Sequence, residues 1–297
     1  MATILAIGIA TLDIVNSVDG YPHEDQEVRA LERQFRRGGN AANSAVILSQ
    51  LGQQCSWAGA VSNDQDGDFI LGELQRYGID TRHSCRLDNG STPTSYITHN
   101  RRNGSRTIVH YRDLPEFSFD HFCNIDLTPY DWFHVEGRQC RETARMLHRV
   151  RQQQPQLPVS IEIEKPRTDI EVLYEFADLL LFSRDFAHHH GFHNGVDFLH
   201  SIRARTARAD LVCAWGDQGA WALAKTVHGQ ASSIEHSPAF PPPLLVDTLA
   251  AGDTFNAALI DARCRGLPLT AALTAACQLA GRKCGIDGLD LAENNIL

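Results

Sequence analysis

The sequence predicts an α/β protein with a mainly parallel sheet that carries helices on both faces. Short apolar runs alternate with helical patterns along most of the chain, and the C-terminal part, from Thr254 onward, is mostly helical in pattern. One hairpin pattern at residues 94–112 interrupts this alternation. Because ligands of such sheets bind beyond the carboxyl ends of the strands, we expect the functional residues there.

The predicted main strands are mostly apolar runs of four or five residues, which is typical of strands buried on both faces. In chain order they are 4–8, 57–61, 132–135, 159–163, 179–182 and 211–215. Between them lie the helical patterns 41–51, 69–77, 143–151, 170–176 and 196–205.

A small second sheet is predicted beside the main one. Residues 94–100 and 106–112 have the pattern of two strands around Asn103-Gly104, a residue pair that supplies positive φ for a hairpin turn. We expect these strands to join 13–35, so that the small sheet is formed from about 13–36 and 92–113 within a single domain of residues 1–297.

Composition excludes several classes of partner. The formal net charge is -9, with 36 acidic against 27 basic residues, which argues against nucleic acid or an anionic membrane as the main partner. The eight cysteines form no Cys-x-x-Cys pair, so neither a zinc site nor a disulfide framework is indicated. No apolar run reaches the roughly 18 residues of a membrane span, and no basic segment precedes an apolar one at the start. We therefore expect a cytoplasmic protein.

The segment 247–253 is the sharpest chemical feature. It reads Asp-Thr-Leu-Ala-Ala-Gly-Asp and leads into an apolar helical run. Free amides at this helix start can hold a phosphoryl group, and the Asp253 carboxylate can accept the proton of an attacking hydroxyl. The alternative is that Asp253 only caps the helix.

A second glycine-rich helix start lies at residues 37–44. Gly38 and Gly39 would let the backbone approach a ligand closely, and Asn40 and Asn43 could both direct amides at sugar hydroxyls. The alternative is an Asn-capped helix with nothing bound.

Together these loops carry a family resemblance. Segments 38–51 and 247–259 resemble the two signature segments of the ribokinase or PfkB family of carbohydrate kinases. Further stretches resemble the ketohexokinase (fructokinase) group of that family: 21–25, 37–44, 106–109, 134–138, 162–167, 212–215, 240–243 and 283–285.

The resemblance implies a ribokinase-like three-layer α/β/α sandwich in which the small sheet is a protruding lid. It implies transfer of the ATP γ-phosphoryl group to the 1-hydroxyl of a ketohexose, turning fructose into fructose 1-phosphate. It also implies Mg²⁺ with the nucleotide, K⁺ as a common activator, and a homodimer whose lids clasp each other.

The resemblance further implies residue roles. Asp253 becomes the general base, and the amides of Ala250, Ala251, Gly252 and Asp253 form an anion hole. The implied sugar-binding residues are Asp13, Asp25, Gly39, Asn40, Asn43, Ser105 and Arg138. The implied nucleotide-binding residues are Arg106, Arg184, Gly216, Asp217, Gly219, Asn256 and Cys284. The alternatives are turn or cap roles for the aspartates, solvated surface for the arginines and core packing for Cys284.

Three departures from the family pattern stand out. Ala250 replaces a glycine of the usual Gly-Ala-Gly-Asp, so it must adopt a backbone conformation that a methyl group tolerates. Ser105 replaces an asparagine before Arg106, which leaves the sugar open. The Asn-x-x-Glu segment that helps organise magnesium has no clear copy, the nearest stretch being 183–186, so no metal ligand is predicted.

Two other functions remain open: a kinase of this family for another ketose, a sugar acid or a modified fructose, and a sugar- and nucleotide-binding regulatory protein. A histidine cluster at residues 188–190 and 193 fits solvated surface better than a metal site. Only pairs such as His189 with His193 could share a helical face there.

Overall fold

Fourteen strands and eight α-helices make up the part of the chain that the computed structural model describes, residues 1–226 and 233–296. The strands are β1 (Thr3–Ile7), β2 (Thr11–Val18), β3 (Glu32–Gly38), β4 (Gln54–Ala58), β5 (Ala60–Ser62), β6 (Cys85–Leu87), β7 (Thr94–Asn100), β8 (Arg106–Tyr111), β9 (Trp132–Glu136), β10 (Val159–Ile163), β11 (Leu179–Ser183), β12 (Asp210–Ala214), β13 (Ala220–Leu223) and β14 (Ile234–Ser237). The helices are α1 (Asn40–Gln50), α2 (Gln65–Arg76), α3 (Phe119–Phe122), α4 (Cys140–Gln153), α5 (Arg184–His189), α6 (Gly195–Arg203), α7 (Ala251–Cys264) and α8 (Leu269–Lys283), with 3₁₀ helices at Ile170–Phe176 and Gly216–Gln218. The predicted domain of residues 1–297 also contains 227–232 and 297, which lie outside the described residues.

The central sheet has eight strands in the order β14-β13-β12-β11-β10-β9-β1-β4. The six strands from β12 to β4 are parallel, and β13 and β14 add an antiparallel edge. Alternate side chains of β1 enter opposite cores: Ile4 and Ala6 pack with α1, α2, α7 and α8, whereas Leu5 and Ile7 pack with α3 to α6. The strands of the parallel part are largely apolar because both faces are covered, and the predicted α/β/α sandwich is confirmed.

The lid is the four-stranded sheet β3-β2-β7-β8. Strand β2 is antiparallel to β3 and parallel to β7, and β7 is antiparallel to β8. Since side chains alternate between faces, Asp13, Ser95 and His110 share the inner face, and Phe35, Tyr96 and Val109 share the outer face. Every residue of β8 is exposed, which fits a sheet that protrudes from the body.

Several elements differ from the sequence prediction. The single strand predicted at 57–61 is two strands on either side of Gly59, with β4 in the main sheet and β5 paired to β6. A Cβ at Gly59 would lie 2.1 Å from the ring of Trp57, so only glycine allows this sharp change of sheet. The helix predicted at 170–176 is a 3₁₀ helix.

Five residues, 101–105, connect β7 to β8 in the hairpin. Gly104 has φ 69°, and its amide donates to the carbonyl of Asn100 at 2.8 Å. Asn103 is not in the left-handed region, so only one residue of the predicted pair supplies a positive φ. No helix within residues 1–226 and 233–296 is both long and apolar enough to span a membrane.

Candidate active site

A cavity of about 700 Å³ lies between the lid and the carboxyl ends of the parallel strands. Its walls come from the ends of β9, β10 and β11, the starts of α1 and α7, and the inner face of the lid. This is the edge of the sheet where the topology places ligands.

The start of α1 depends on Gly39. This residue has φ 99°, and a Cβ there would lie 2.2 Å from the carbonyl oxygen of Ile9. Glycine therefore lets the chain pass close to the end of β1 before the helix begins. Asn40 and Asn43, one turn apart, then both line the cavity.

The start of α7 forms the opposite wall. Ala250 has φ 59° and ψ 17°, so the replaced glycine position is left-handed although it carries a methyl group. The first amides of a helix lack intrahelical partners and can bind an anion. A Cβ on Gly252 would meet no heavy atom within 4 Å, so the space beside these amides is open.

Asp253 sits in the first turn of α7 and is 7% exposed. Its Oδ2 accepts a hydrogen bond of 2.6 Å from Asn43 Nδ2, and Arg37 Nη1 donates to Asn43 Oδ1 at 2.6 Å. Burial raises the pKa of Asp253 to about 7, while the Asn43 hydrogen bond and the Arg37 charge oppose this rise. A carboxylate tuned in this way can accept a proton near neutral pH.

Glu162, at the end of β10, is a second buried carboxylate. Its Oε1 accepts hydrogen bonds from Asn40 Nδ2 at 3.1 Å and Asn256 Nδ2 at 3.0 Å. Its Oε2 is buried and has no hydrogen-bond partner in the described part of the chain. Burial, and then the Asp253 charge, raise the pKa of Glu162 well above its ordinary range.

This free oxygen is relevant to magnesium. Across residues 1–226 and 233–296, no three His, Cys, Asp or Glu side chains are placed to hold a metal ion. Magnesium in kinases is commonly held by one or two carboxylates together with substrate phosphates and water. The unpartnered Glu162 oxygen in the cavity wall fits that manner of binding.

The loop before α7 is held from two directions. From the lid, Arg106 Nη1 donates to Thr248 Oγ1 at 2.6 Å and Arg36 Nη1 lies 3.1 Å from Asp247 Oδ2. From α8, the fully buried Lys283 donates to the Asp247 carbonyl at 2.8 Å and lies 3.2 Å from its carboxylate. Burial opposes ionisation of Asp247, but Lys283 and Arg36 hold its pKa below the ordinary value.

Most of the predicted site residues meet in this cavity. Its lining includes Asp13, Gly39, Asn40, Asn43, Arg106, Arg138, Arg184, Gly216, Ala250, Ala251, Gly252, Asp253 and Asn256. Asp13 is buried, its Oδ1 accepts from Thr11 Oγ1 at 2.8 Å, and burial raises its pKa.

Five predicted residues lie outside the cavity lining. Asp25 is in the exposed 19–31 loop. Ser105 lies in the turn between β7 and β8, where its Oγ donates a hydrogen bond of 2.6 Å to Asn103 Oδ1. Asp217 is exposed, 3.8 Å from Arg184. A Cβ on Gly219 would lie 2.0 Å from the Ser237 carbonyl, which explains this glycine structurally. Cys284 caps α8, and its carbonyl accepts from the amides of Val246 and Asp247.

Sequence reasoning left several residues without a role: Glu136, Glu162 and Glu164, which line the cavity, and Arg37, which contacts the cavity residue Asn43. The three glutamates lie at the ends of β9 and β10, so the rule that ligands bind at strand ends could have found them. The role of Arg37 is visible only through its contact with Asn43.

The histidine cluster stands apart from the cavity. Helix α5 ends at His189, so His189 and His193 do not share a helical face. Instead the His188 ring lies 5.9 Å from that of His193, and all four side chains of the cluster are exposed.

Comparisons with known proteins show which family the chain belongs to. The pfkB family carbohydrate kinase pattern matches residues 1–289. Ketohexokinase of Mus musculus is 41% identical over 295 residues, which covers 97% of each chain. Fructosamine kinase FrlD of Bacillus subtilis is 27% identical over 284 residues, covering 92% of this chain and 89% of the relative. The structure of Arabidopsis thaliana ribokinase complexed with ribose and ATP superposes with a TM-score of 0.76 at 18% identity, over 97% of this chain and 94% of the other.

Proposed function

Since the chain belongs to the pfkB family of carbohydrate kinases, we propose that it transfers the γ-phosphoryl group of ATP to the 1-hydroxyl of a ketohexose, with fructose as the first acceptor to test. That it is an ATP-dependent sugar kinase follows from the family. The position of the hydroxyl and the identity of the sugar are the proposal, supported by the 41% identity to ketohexokinase.

One contact carries the proposal: the 2.6 Å hydrogen bond between Asn43 and Asp253. These residues are 210 positions apart, and each belongs to a glycine-rich helix start for which helix capping was the alternative role. Capping does not account for this contact, because the Asp253 carboxylate turns toward the other loop in the cavity.

The proposed reaction is an in-line transfer. As the sugar oxygen forms a bond to the γ-phosphorus, the bond from that phosphorus to the β–γ bridging oxygen breaks, and ADP leaves. The hydroxyl proton passes to the Asp253 carboxylate. The amides of Ala250 to Asp253 stabilise the charge on the transferring group, and Arg106 adds a guanidinium from the lid.

Asn43 orients Asp253, and Arg37 orients Asn43 in turn. Asp13, Asn40 and Asn43 would position the sugar hydroxyls. When bound, Mg²⁺ would neutralise charge on the nucleotide phosphates, and the unpartnered Glu162 carboxylate oxygen could hold it. The lid keeps water, a competing acceptor, away from the phosphoryl group.

A second candidate is a kinase of this family for a modified fructose. The match to a fructosamine kinase over most of the chain favours it. The Ser105 replacement does not bear on this choice in the present conformation, because Ser105 lies outside the cavity lining.

The test is an ADP-release assay over ketoses, aldoses and modified fructoses, with the phosphate position of the product assigned by NMR. We expect fructose to give the 1-phosphate. A product phosphorylated elsewhere would contradict the proposal, and binding of sugar and ATP without ADP release would favour a regulatory protein.

The proposed base is tested by Asp253→Asn. Loss of a general base lowers kcat by about 10²- to 10⁴-fold, and we expect a fall in this range with fructose binding retained in calorimetry. Asp66→Asn, on the exposed side of α2, is the matched control. Near wild-type turnover in Asp253→Asn would exclude Asp253 as the base.

A further inference from the structure

Three polar side chains form a row across the inner face of the lid, and the proposed reaction uses only one of them, Asp13. Asp13 of β2 is the register partner of Ser95 of β7, and Ser95 is the register partner of His110 of β8. Register partners on neighbouring strands place their side chains side by side on one face. All three residues line the cavity.

Hydrogen bonds connect the first two members of this row. Asp13 Oδ1 accepts from Thr11 Oγ1 at 2.8 Å. Burial raises the pKa of Asp13, and hydrogen bonds from Thr11 and then Ser95 oppose this rise. Such hydrogen bonds favour the ionised carboxylate, which accepts but has no hydrogen to donate. The Ser95 hydroxyl is therefore the donor to Asp13.

The direction of the Ser95 hydrogen bond decides which nitrogen of His110 carries a hydrogen. Ser95 Oγ lies 3.2 Å from His110 Nδ1. A hydroxyl has one hydrogen, and because Ser95 gives it to Asp13, the Ser95 oxygen accepts from His110 Nδ1–H. A neutral imidazole carries one ring hydrogen, so the His110 Nε2 is a bare acceptor.

The His110 ring is neutral and open to the cavity. Burial, and then the charges of three nearby cations, lower its pKa, so the ring is mainly unprotonated at pH 7; the cations are Arg138, Arg112 and Lys165. The side chain is exposed, and within residues 1–226 and 233–296 its Nε2 makes no hydrogen bond to the protein. This nitrogen is therefore available to accept a hydrogen bond from a ligand.

His110 lies on the side of the cavity away from the proposed anion hole. Arg106, four residues earlier on the same face of β8, donates to Thr248 in the loop before α7. At the usual rise of about 3.3 Å per residue, His110 lies about 13 Å further along the strand. Since the proposed reaction places the reacting hydroxyl at Asp253 in the first turn of α7, His110 faces the other end of the acceptor.

We infer that His110 is a specificity residue for the sugar acceptor, and that its Nε2 accepts a hydrogen bond from the hydroxyl at the end opposite the phosphorylated one. For fructose this is the 6-hydroxyl. This inference rests on the proposed function, which fixes the orientation of the sugar. A site that offers only an acceptor selects a group that can donate and discriminates against an analogue that cannot.

The kinetic test compares D-fructose with 6-deoxy-6-fluoro-D-fructose, because fluorine is close to a hydroxyl in size but cannot donate. The measured quantity is the ratio of kcat/KM for fructose to kcat/KM for the fluoro sugar. We expect His110→Leu to lower this ratio by about fivefold or more, as for the loss of one neutral hydrogen bond. Other effects of the fluorine are the same in both proteins and cancel.

The matched control is His200→Leu, at an exposed histidine on α6 that is not part of the cavity lining, and it should leave the ratio unchanged. An unchanged ratio in His110→Leu, with fructose still phosphorylated, overturns the inference and leaves the proposed function intact. Absence of turnover with every sugar contradicts the proposed function itself.

NMR of the ¹⁵N-labelled histidine rings tests the hydrogen-bond direction without turnover. The His110 signals are identified by their loss in His110→Leu. At pH 7.5 we expect Nδ1 to carry the hydrogen and Nε2 to be bare, and we expect saturating fructose to shift the Nε2 signal. A hydrogen on Nε2, or an Nε2 signal that fructose does not move, overturns the inference.

Discussion

At the scale of single residues, the loop that we propose as the anion hole contains two positions with opposite requirements. Ala250 occupies a left-handed conformation with φ 59°, which costs a non-glycine residue about 1 kcal/mol. The backbone at position 252 does not require glycine, because the φ of Gly252 is not positive and a Cβ there would enter open space. The methyl group of Ala250 is therefore tolerated although the backbone there is strained. A methyl group is absent from Gly252, where it would fill the space beside the amides.

We predict that Gly252→Ala keeps or slightly raises stability, since alanine is favoured over glycine in helices by about 0.5–1 kcal/mol. It should lower kcat/KM by about tenfold or more, because the methyl group would occupy the place of the transferring phosphoryl group. Steady-state kinetics and thermal unfolding measure the two effects. The control is Ala250→Gly, which should retain activity; full activity in Gly252→Ala would place the phosphoryl group elsewhere.

The ionisation of Asp253 predicts the pH dependence of catalysis. A base must be ionised to accept a proton, and burial raises the pKa of Asp253 to about 7. We therefore expect kcat/KM to fall about tenfold per pH unit below about pH 7 and to level off above it. The Asn43 hydrogen bond lowers this pKa, so Asn43→Ala should move the falling limb to higher pH. A flat profile between about pH 5.5 and 7.5 would contradict Asp253 as the titrating base.

At the scale of elements, the loop before α7 is a junction between the lid and helix α8. Asp247 is central to it, because its carboxylate lies near both Arg36 of β3 and the fully buried Lys283 of α8. Arg106 of β8 adds a bond to Thr248 in the same loop. The lid strands β3 and β8 and the helix α8 therefore all contact the loop that leads into the first amides of α7.

We predict that Asp247→Ala lowers the free energy of unfolding by about 3–5 kcal/mol, because it leaves the Lys283 ammonium buried without its carboxylate. Urea unfolding monitored by tryptophan fluorescence measures this loss. Asp287→Ala is the matched control, since Asp287 pairs with the same Arg36 but is 55% exposed, and it should cost less than about 1 kcal/mol. Equal losses in both variants would show that the buried pair is not what holds the loop.

At the scale of the whole molecule, the outer face of the lid is exposed and partly apolar. Phe35, Tyr96 and Val109 lie on this face, and Tyr96 and Val109 are cross-strand neighbours. A protruding sheet with apolar side chains on its solvent face is typical of a surface that another chain covers. This supports the prediction that two lids pair in a homodimer.

If the lids pair, the wild type should have the mass of a dimer in size-exclusion chromatography with light scattering, and Val109→Asp should shift it to monomer. The aspartate would be desolvated at the interface without a partner. Val172→Asp, at an exposed site on the 3₁₀ helix, is the control and should remain dimeric. A wild type that runs as a monomer would contradict the lid-mediated dimer.

The regular layers of the fold were predictable because their periodicity is local. Strands such as β1 and β11 are almost entirely apolar, since both faces are covered, and this is visible in four consecutive residues. The division of 57–61 into β4 and β5 was not predictable from the pattern, because both halves are equally apolar. It depends on which strand each half meets in space.

The residues of the candidate site likewise divide into those that the sequence could predict and those that it could not. Asp253, Asn40 and Asn43 are recognisable because glycine-rich helix starts have a short-range signature. Arg37, Glu136 and Glu162 have none, since an arginine or glutamate in a run of residues is usually solvated surface. Their importance comes from burial and from partners more than 90 positions away, except for Arg37, which contacts Asn43 six residues along the chain.

The sequence by itself determined the layered α/β fold and both loops on which the chemistry depends, because hydrophobic periodicity, turn residues and helix starts are set by near neighbours along the chain. Only the tertiary structure decided that the Asp253 carboxylate meets Asn43 and that burial raises the pKa of Asp253 to about 7. Desolvation and charge pairing depend on what surrounds a group in space, and folding brings together residues that are far apart in sequence.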